Sequence, residues 1–309
     1  MILCIGTTPA AQRVMRFRKL NLDEVNRAME TLDGAAGKSI NVAKVLQTLG
    51  ANPIATGFLG GDRGEELRQL LTARGINLEF VTVSARTRQC ITVVDESAGT
   101  ITELVQESQP VSAADYMQLE EIVRRRLPGC QAVVMSGTIA PGVPSDFYFR
   151  TTELAQQSGV MPIVDAQGTA LIEALRAKPA LVKPNRKELA ATVGQELDSD
   201  SAVLSAMKQL QQHGAERVVV TAGQHPTLAF DGRQSWRIQS PRIKAVNPIG
   251  SGDSFTAALV WRLVQGDDLG EACRWGAAAG AANALSIMPG DLNRANVERL
   301  AAEMNVEKI

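Results

Sequence analysis

Short apolar runs that alternate with amphipathic helical segments constrain this chain more than any other feature. Residues 2–5 read as a buried strand, 41–49 as a helix closed by Gly50, 52–58 as a strand, 63–74 as a helix closed by Gly75, and 78–83 as a strand. The alternation resumes with helix 113–127, strand 132–135, helix 145–158, strand 161–164, helix 170–177 and strand 180–183. Helices 187–192 and 201–213, strand 217–221 and β-rich pieces at 228–230 and 236–238 follow; a helix opening at Asp253 and another over 269–285 close the fold. Strands separated by helices predict an α/β fold with a mostly parallel sheet and helices on its faces.

The pattern breaks once. Residues 89–95 and 100–105 are rich in Thr, Ile and Val and are separated by Glu96-Ser97-Ala98-Gly99, a hairpin signal. Residues 12–20 place Val14, Met15, Phe17 and Leu20 among Arg13, Arg16, Arg18 and Lys19, as a strand with one covered face would. Together they predict a small second sheet. No repeat, low-complexity tract or linker interrupts the chain, so 1–309 reads as one domain. The small sheet is a lid inserted at about 10–36 and 86–110.

Composition excludes several classes. The formal net charge is −1, without the basic excess of nucleic-acid-binding domains. Cys4, Cys90, Cys130 and Cys273 lie far apart and read as small core residues in a reducing compartment. His213 and His225 are the only histidines, which argues against a His-based metal site or a Ser-His triad. No apolar run approaches the length of a membrane span. The first five residues lack the basic start and apolar core of a signal peptide, so a cytoplasmic location is expected.

The chemistry concentrates near the C-terminal end, in Asn247-Pro248-Ile249-Gly250-Ser251-Gly252-Asp253-Ser254-Phe255. Pro248 favours a turn, and Gly250 and Gly252 leave backbone open to a ligand. Asp253 opens a helix with Phe255, Ala258, Leu259 and Leu263 on its apolar face. Such a turn offers free amides and the positive end of the helix dipole to an anion. A carboxylate there is suited to taking a proton from a hydroxyl that attacks the anion. A well-capped helix is the other reading of the same residues. Four further polar groups follow strand ends: Ser136-Gly137-Thr138, Asp165, Lys183-Pro184-Asn185 with Glu188, and Thr221-Ala222-Gly223. In open parallel sheets the carboxyl ends of strands line the ligand crevice. Two decoys fall away. Gly37-Lys38-Ser39 is no P-loop, because Leu32 stands where that motif needs glycine and 25–30 is polar. Gly57, Gly60, Gly61 and Gly64 do not fit a dinucleotide fingerprint.

These motifs resemble the ribokinase/PfkB family of ATP-dependent sugar kinases, and within it the 1-phosphofructokinase and tagatose-6-phosphate kinase branch. Gly250-Ser251-Gly252-Asp253 resembles G-[AS]-G-D, and Lys183-Pro184-Asn185-Arg186-Lys187-Glu188 resembles K-P-N-x-x-E. Residues 136–144 resemble S-G-S-x-P-P-G-V-P, and Ala36-Gly37-Lys38-Ser39-Ile40-Asn41-Val42 resembles G-G-K-G-x-N-V. Gly57-Phe58-Leu59-Gly60-Gly61-Asp62 and Thr87-Arg88-Gln89 also match, over about residues 2–291. The resemblance implies a ribokinase-like three-layer α/β/α fold. It implies ATP and Mg²⁺, with Asp253 as general base and the amides of Gly250, Ser251 and Gly252 as anion hole. Asn185 and Glu188 would serve Mg²⁺ through water, Lys183 the nucleotide phosphates, Thr221 and Gly223 the nucleotide, and Asn283 the adenine. Gly37, Lys38, Asn41, Arg88 and Ser136 would hold the acceptor, with Lys38 and Arg88 on a phosphate that the sugar already carries. A homodimer through the lid is implied as well. At a helix N-terminus, Asp253 is expected to stay ionised and to be a weak base.

Three departures lie on the acceptor side. Gln12 stands where relatives have the Asp of N-P-x-x-D, Ala36 and Ser39 add bulk to the glycine loop, and 102–110 depart from T-E-x-N-x-P-G-P. A kinase for fructose 1-phosphate or tagatose 6-phosphate is the leading reading. A kinase for a free sugar or nucleoside, and a sensor that binds without turnover, are the alternatives.

Overall fold

The computed structural model describes residues 1–309. Its large sheet runs, edge to edge, through Val306–Lys308, Ser235–Ile238, His225–Phe230, Val218–Ala222, Leu181–Val182, Met161–Asp165, Ala132–Ser136, Ile2–Gly6, Pro53–Leu59 and Asn77–Leu78. Val81–Thr82 adds a short strand against Pro53–Leu59. Pairing is parallel from Asn77–Leu78 to Val218–Ala222 and antiparallel beyond it.

Alternate side chains of the parallel strands enter different cores, which is why these strands read as unbroken apolar runs. Ile2, Cys4 and Val134 pack with the helices Lys38–Thr48, Ser251–Leu263 and Leu269–Ala284. Leu3, Ile5, Val133 and Met135 pack on the opposite face, with Ala113–Arg126, Phe147–Gln157 and Asp200–Gln212. The result is the expected three-layer α/β/α arrangement. The separate lid sheet has the order Glu30–Ala36, Ala10–Phe17, Arg88–Asp95, Thr100–Val105.

Several element assignments change. Glu30–Ala36 is a strand, although its sequence carries Gly and Asp and no run of β-branched residues. Pairing decides it: Gln12 lies opposite Gly34, and Arg13–Asp33 and Arg16–Glu30 ion pairs tie the two strands. A strand therefore does precede Gly37, but it belongs to the lid. The expected strand at 78–83 is two two-residue pieces, and the first long helix begins at Lys38, three residues early. Nor does the chain close after 285. Helix Arg294–Glu303 packs on Leu269–Ala284, and Val306–Lys308 extends the large sheet. No helix is long and apolar enough to cross a membrane.

Candidate active site

The turn before Asp253 has the geometry that its glycines require. Gly250 sits at φ +82°, and a Cβ there would approach Pro289 Cβ to 2.9 Å. The helix starts at Ser251, and Asp253 lies in its first turn. Gly252 and Asp253 direct amides at the helix N-terminus with no carbonyl partner in the turn. The Ser251 amide, expected beside them, instead closes on the Pro248 carbonyl at 3.1 Å.

Asp253 is not the exposed, dipole-stabilised carboxylate that its position in the sequence suggests. It is buried, and Asn41 Nδ2 donates to its Oδ2 at 2.8 Å. Burial pushes its carboxyl up to about 6, the nearby Asp165 charge adds to the rise, and Lys38, the Asn41 bond and Lys183 oppose it. At about 6 the carboxyl is still mostly ionised at neutral pH, as expected, but burial makes it a stronger base than the weak one expected. A carboxylate held near 6 is a better proton acceptor at neutral pH than an ordinary one.

Behind Asp253 lies the residue whose importance sequence reading missed. Asp165 was visible as a strand-end residue but had no role. Its side chain is buried, and Oδ2 accepts from Thr256 Oγ1 at 2.7 Å and pairs with Lys183 Nζ at 3.2 Å, while Oδ1 takes Lys38 Nζ at 3.2 Å. Burial alone would raise it, but the two lysines and the Thr256 hydroxyl together hold it down at about 2. The carboxylate therefore fixes both lysines beside the turn. Lys38 is held fully charged, chiefly by Asp165, against the cost of burial. Its Nζ also lies 3.6 Å from Glu188 Oε1.

A cavity of about 370 Å³ opens between this turn and the lid. Gln12, Gly37, Lys38, Asn41, Arg88, Lys183, Asn185, Glu188 and Thr221 all line it, with Gly250, Gly252 and Asp253. Thr221 reaches it through a parallel bridge to Asn185. Asn185 and Glu188 form a reciprocal cap: Asn185 Oδ1 accepts from the Glu188 amide at 2.9 Å and Glu188 Oε2 from the Asn185 amide at 2.8 Å. Gln12 Nε2 donates to Thr92 Oγ1 at 2.8 Å, inside the lid sheet. Arg88, at the rim, donates through Nε to the Thr8 carbonyl at 3.1 Å.

Four expected residues lie elsewhere. Ser251 is behind the turn. Ser136 is buried beneath the cavity, with its hydroxyl unpartnered. Asn283 is fully buried; it donates to the Ile249 carbonyl at 2.8 Å and accepts from the Gly290 amide at 2.7 Å. With both ends engaged it braces the glycine turn and presents no edge to an adenine. Gly223 sits in the exposed turn between Val218–Ala222 and His225–Phe230. The Ser39 bulk is harmless to the cavity, because its side chain packs on Gly6. Glu103, within the departing 102–110 stretch, and Cys90, expected only as a small core residue, also line the cavity. Burial raises Glu103, and Arg88 counters it.

The charges constrain what can enter. Lys38, Lys183 and Arg88 face Asp165, Asp253, Glu188 and Glu103, so the cations do not exceed the carboxylates. A polyphosphate would need an accompanying cation. No cluster of three His, Cys, Asp or Glu side chains could hold a metal ion by itself. Glu188 and Asn185 suit Mg²⁺, which keeps several waters and uses few protein ligands beside phosphate oxygens.

A family model described as "pfkB family carbohydrate kinase" matches residues 1–293. Among solved structures, phosphofructokinase-2 from Escherichia coli in complex with fructose-6-phosphate is 29% identical, with 98% of this chain and 97% of that chain covered and a TM-score of 0.87. A protein from Thermotoga maritima described as a possible 1-phosphofructokinase superposes with a TM-score of 0.92 at 24% identity, covering 100% of this chain and 99% of that one. Arabidopsis thaliana ribokinase, complexed with ribose and ATP, gives 0.76 at 20% identity, with 97% of each chain covered. The last two likenesses bear on the fold alone.

Proposed function

The chain belongs to the pfkB family of carbohydrate kinases, and from that premise we propose that it phosphorylates a ketohexose that already carries one phosphate, with Asp253 as general base. The candidate acceptors are fructose 1-phosphate, at its 6-hydroxyl, and tagatose 6-phosphate, at its 1-hydroxyl. The observation that carries the reading is a buried carboxylate, raised to about 6, in the first turn of a helix whose amides are open to an anion.

The acceptor hydroxyl lies against Asp253 and attacks the γ-phosphorus of ATP. The new O–P bond forms as the bond to the ADP oxygen breaks, and the hydroxyl proton passes to Asp253. Amides of the 250–253 turn receive the equatorial oxygens of the transferring group. Because the transition state is loose, positioning and charge neutralisation supply most of the rate. Lys183, pinned by Asp165, stays beside the turn for the phosphates. Mg²⁺ bound with the nucleotide, held through water by Asn185 and Glu188, would supply the positive charge that the cavity lacks.

Arg88 supports a phosphorylated acceptor. It projects from the lid with three of its five guanidinium N–H donors uncommitted, whereas Lys38 is tied to Asp165 and Glu188. Glu103 beside it favours the second reading, a free sugar whose hydroxyls a carboxylate would bind. Arg88→Ala separates the two. Loss of a charge-assisted pair should raise KM for a sugar phosphate about 10–100-fold with kcat little changed. For a free sugar, KM should barely move, and that result would overturn the phosphate-bearing acceptor. We further infer that two copies pair through their lids, where Leu104 and Val105 of the outer strand are exposed.

A further inference from the structure

Lys44 lies outside the cavity, yet it is among the most buried charged groups in the molecule, at 2% exposure. It sits on helix Lys38–Thr48, two turns from Lys38. Its Nζ donates to the Pro289 carbonyl at 2.6 Å and to the Ala35 carbonyl at 3.2 Å, and it pairs with Asp291 Oδ1 at 2.9 Å. Two ammonium protons therefore go to backbone carbonyls and the Asp291 carboxylate lies beside the charge as its ion-pair partner, and these groups come from two bodies. Ala35 is the penultimate residue of the lid strand Glu30–Ala36. Pro289 and Asp291 belong to the loop after helix Leu269–Ala284.

That loop is the backing of the glycine turn. Pro289 is the atom group that forbids a side chain at Gly250. The Gly290 amide donates to Asn283, whose other end holds the Ile249 carbonyl. Gly290 also lies against Asn41, so closely that a Cβ there would sit 3.2 Å from Asn41 Cα, and Asn41 donates to Asp253.

We propose that Lys44 is a positioning residue that ties the root of the lid to the loop behind the anion hole, so that the acceptor-side lid and the phosphoryl-transfer turn keep one relative placement. The proposal deepens the kinase reading and rests on it. A helix anchor could use an apolar side chain at this depth. An ammonium at this depth needs both its two carbonyl acceptors and a counter-charge, because a buried charge persists only where it is hydrogen-bonded and paired. Burial pulls the Lys44 ammonium below the usual lysine range, and Asp291 resists that pull. The charge thus depends on the Asp291 loop being in place, and the loop depends on the charge.

The test is K44M, which approximates the unbranched lysine stem and removes the donors, read by kinetics and by hydrogen–deuterium exchange. The expected kcat loss is about 10–100-fold, the scale set by a misplacement of roughly 1 Å, with KM for ATP moving less than about threefold. K44R, which retains the charge and its donors, should recover most of that loss. Exchange should speed up in two separated segments, 30–36 and 246–252, because both lose the same tie. A change confined to the 38–48 helix, or parental exchange in both segments, would overturn the proposal. If K44M does not fold, D291N serves, since Asp291 is 31% exposed: exchange should rise at 246–252 and 286–291, and parental exchange there overturns the proposal. A parent protein without kinase activity would count against the kinase reading, while the exchange pattern would still decide the role of Lys44.

Discussion

Asp253→Asn is expected to lower kcat by about 10²–10⁴-fold, the range for loss of a positioned general base, with the fold intact. Asparagine preserves the shape and can still accept from Asn41 through its amide oxygen, so the buried contact at 2.8 Å survives. Proton acceptance is lost together with the negative charge. Single-turnover phosphoryl transfer and thermal unfolding, measured on the same sample, check both halves; parental turnover in the mutant would rule Asp253 out as the base. The pH profile gives a second reading. With the carboxyl raised to about 6, the base form is depleted as pH falls through 6, so kcat/KM should drop on the acid side. That limb should vanish in Asp253→Asn. The stability effect has the opposite sense. A raised folded-state value means that the ionised form costs stability above pH 6, so the asparagine protein should be at least as stable there as its parent.

Asp165→Asn should be the most damaging single change to stability. Removing one partner of a buried charge cluster leaves Lys183 uncompensated at 3% exposure and Lys38 without its nearest carboxylate. Breaking such a pair typically costs about 3–5 kcal/mol, because the remaining charge stays desolvated. Urea unfolding at neutral pH measures it, and a loss under about 1 kcal/mol would mean that the lysines find other partners or water. The pH sense again follows from direction. Asp165 is held down at about 2, so its contribution is complete above the ordinary aspartate value and is lost as pH falls toward 2. Activity should fall with stability here, since Lys183 would no longer be fixed beside Gly252.

What the sequence made legible was local. Glycine spacing, Pro248 and the apolar period after Asp253 placed the phosphate turn, and alternating apolar runs placed the parallel sheet. What stayed hidden arises between distant segments. The raised Asp253 carboxyl follows from its burial among segments distant in the chain, such as Asn41, 212 residues away, whose own hydrogen bond opposes the rise. Nothing near Asp253 encodes that burial, and the helix dipole, which is local, points the other way. Asp165 was legible only as one of several strand-end residues along the crevice, because its three partners come from three separate segments. Asn283 was placed at the adenine by resemblance; its three side-chain hydrogen bonds, to Ile249, Ser251 and Gly290, assign it to the turn's scaffold. The strand Glu30–Ala36 has no β-type composition and exists because Ala10–Phe17 pairs with it through arginine–carboxylate ties. Gln12 stayed ambiguous in the sequence; its amide nitrogen is engaged by Thr92, and the residue lines the cavity.

The most direct measurement is ATP consumption against a panel of free and phosphorylated ketohexoses, with Asp253→Asn as the blank. Turnover is expected with fructose 1-phosphate or tagatose 6-phosphate, at a kcat/KM at least about tenfold above that for free fructose or tagatose, the margin that one charge-assisted phosphate contact provides. Turnover with free sugars alone, or equal ATP loss in the Asp253→Asn protein, would contradict a ketohexose-phosphate kinase acting through Asp253.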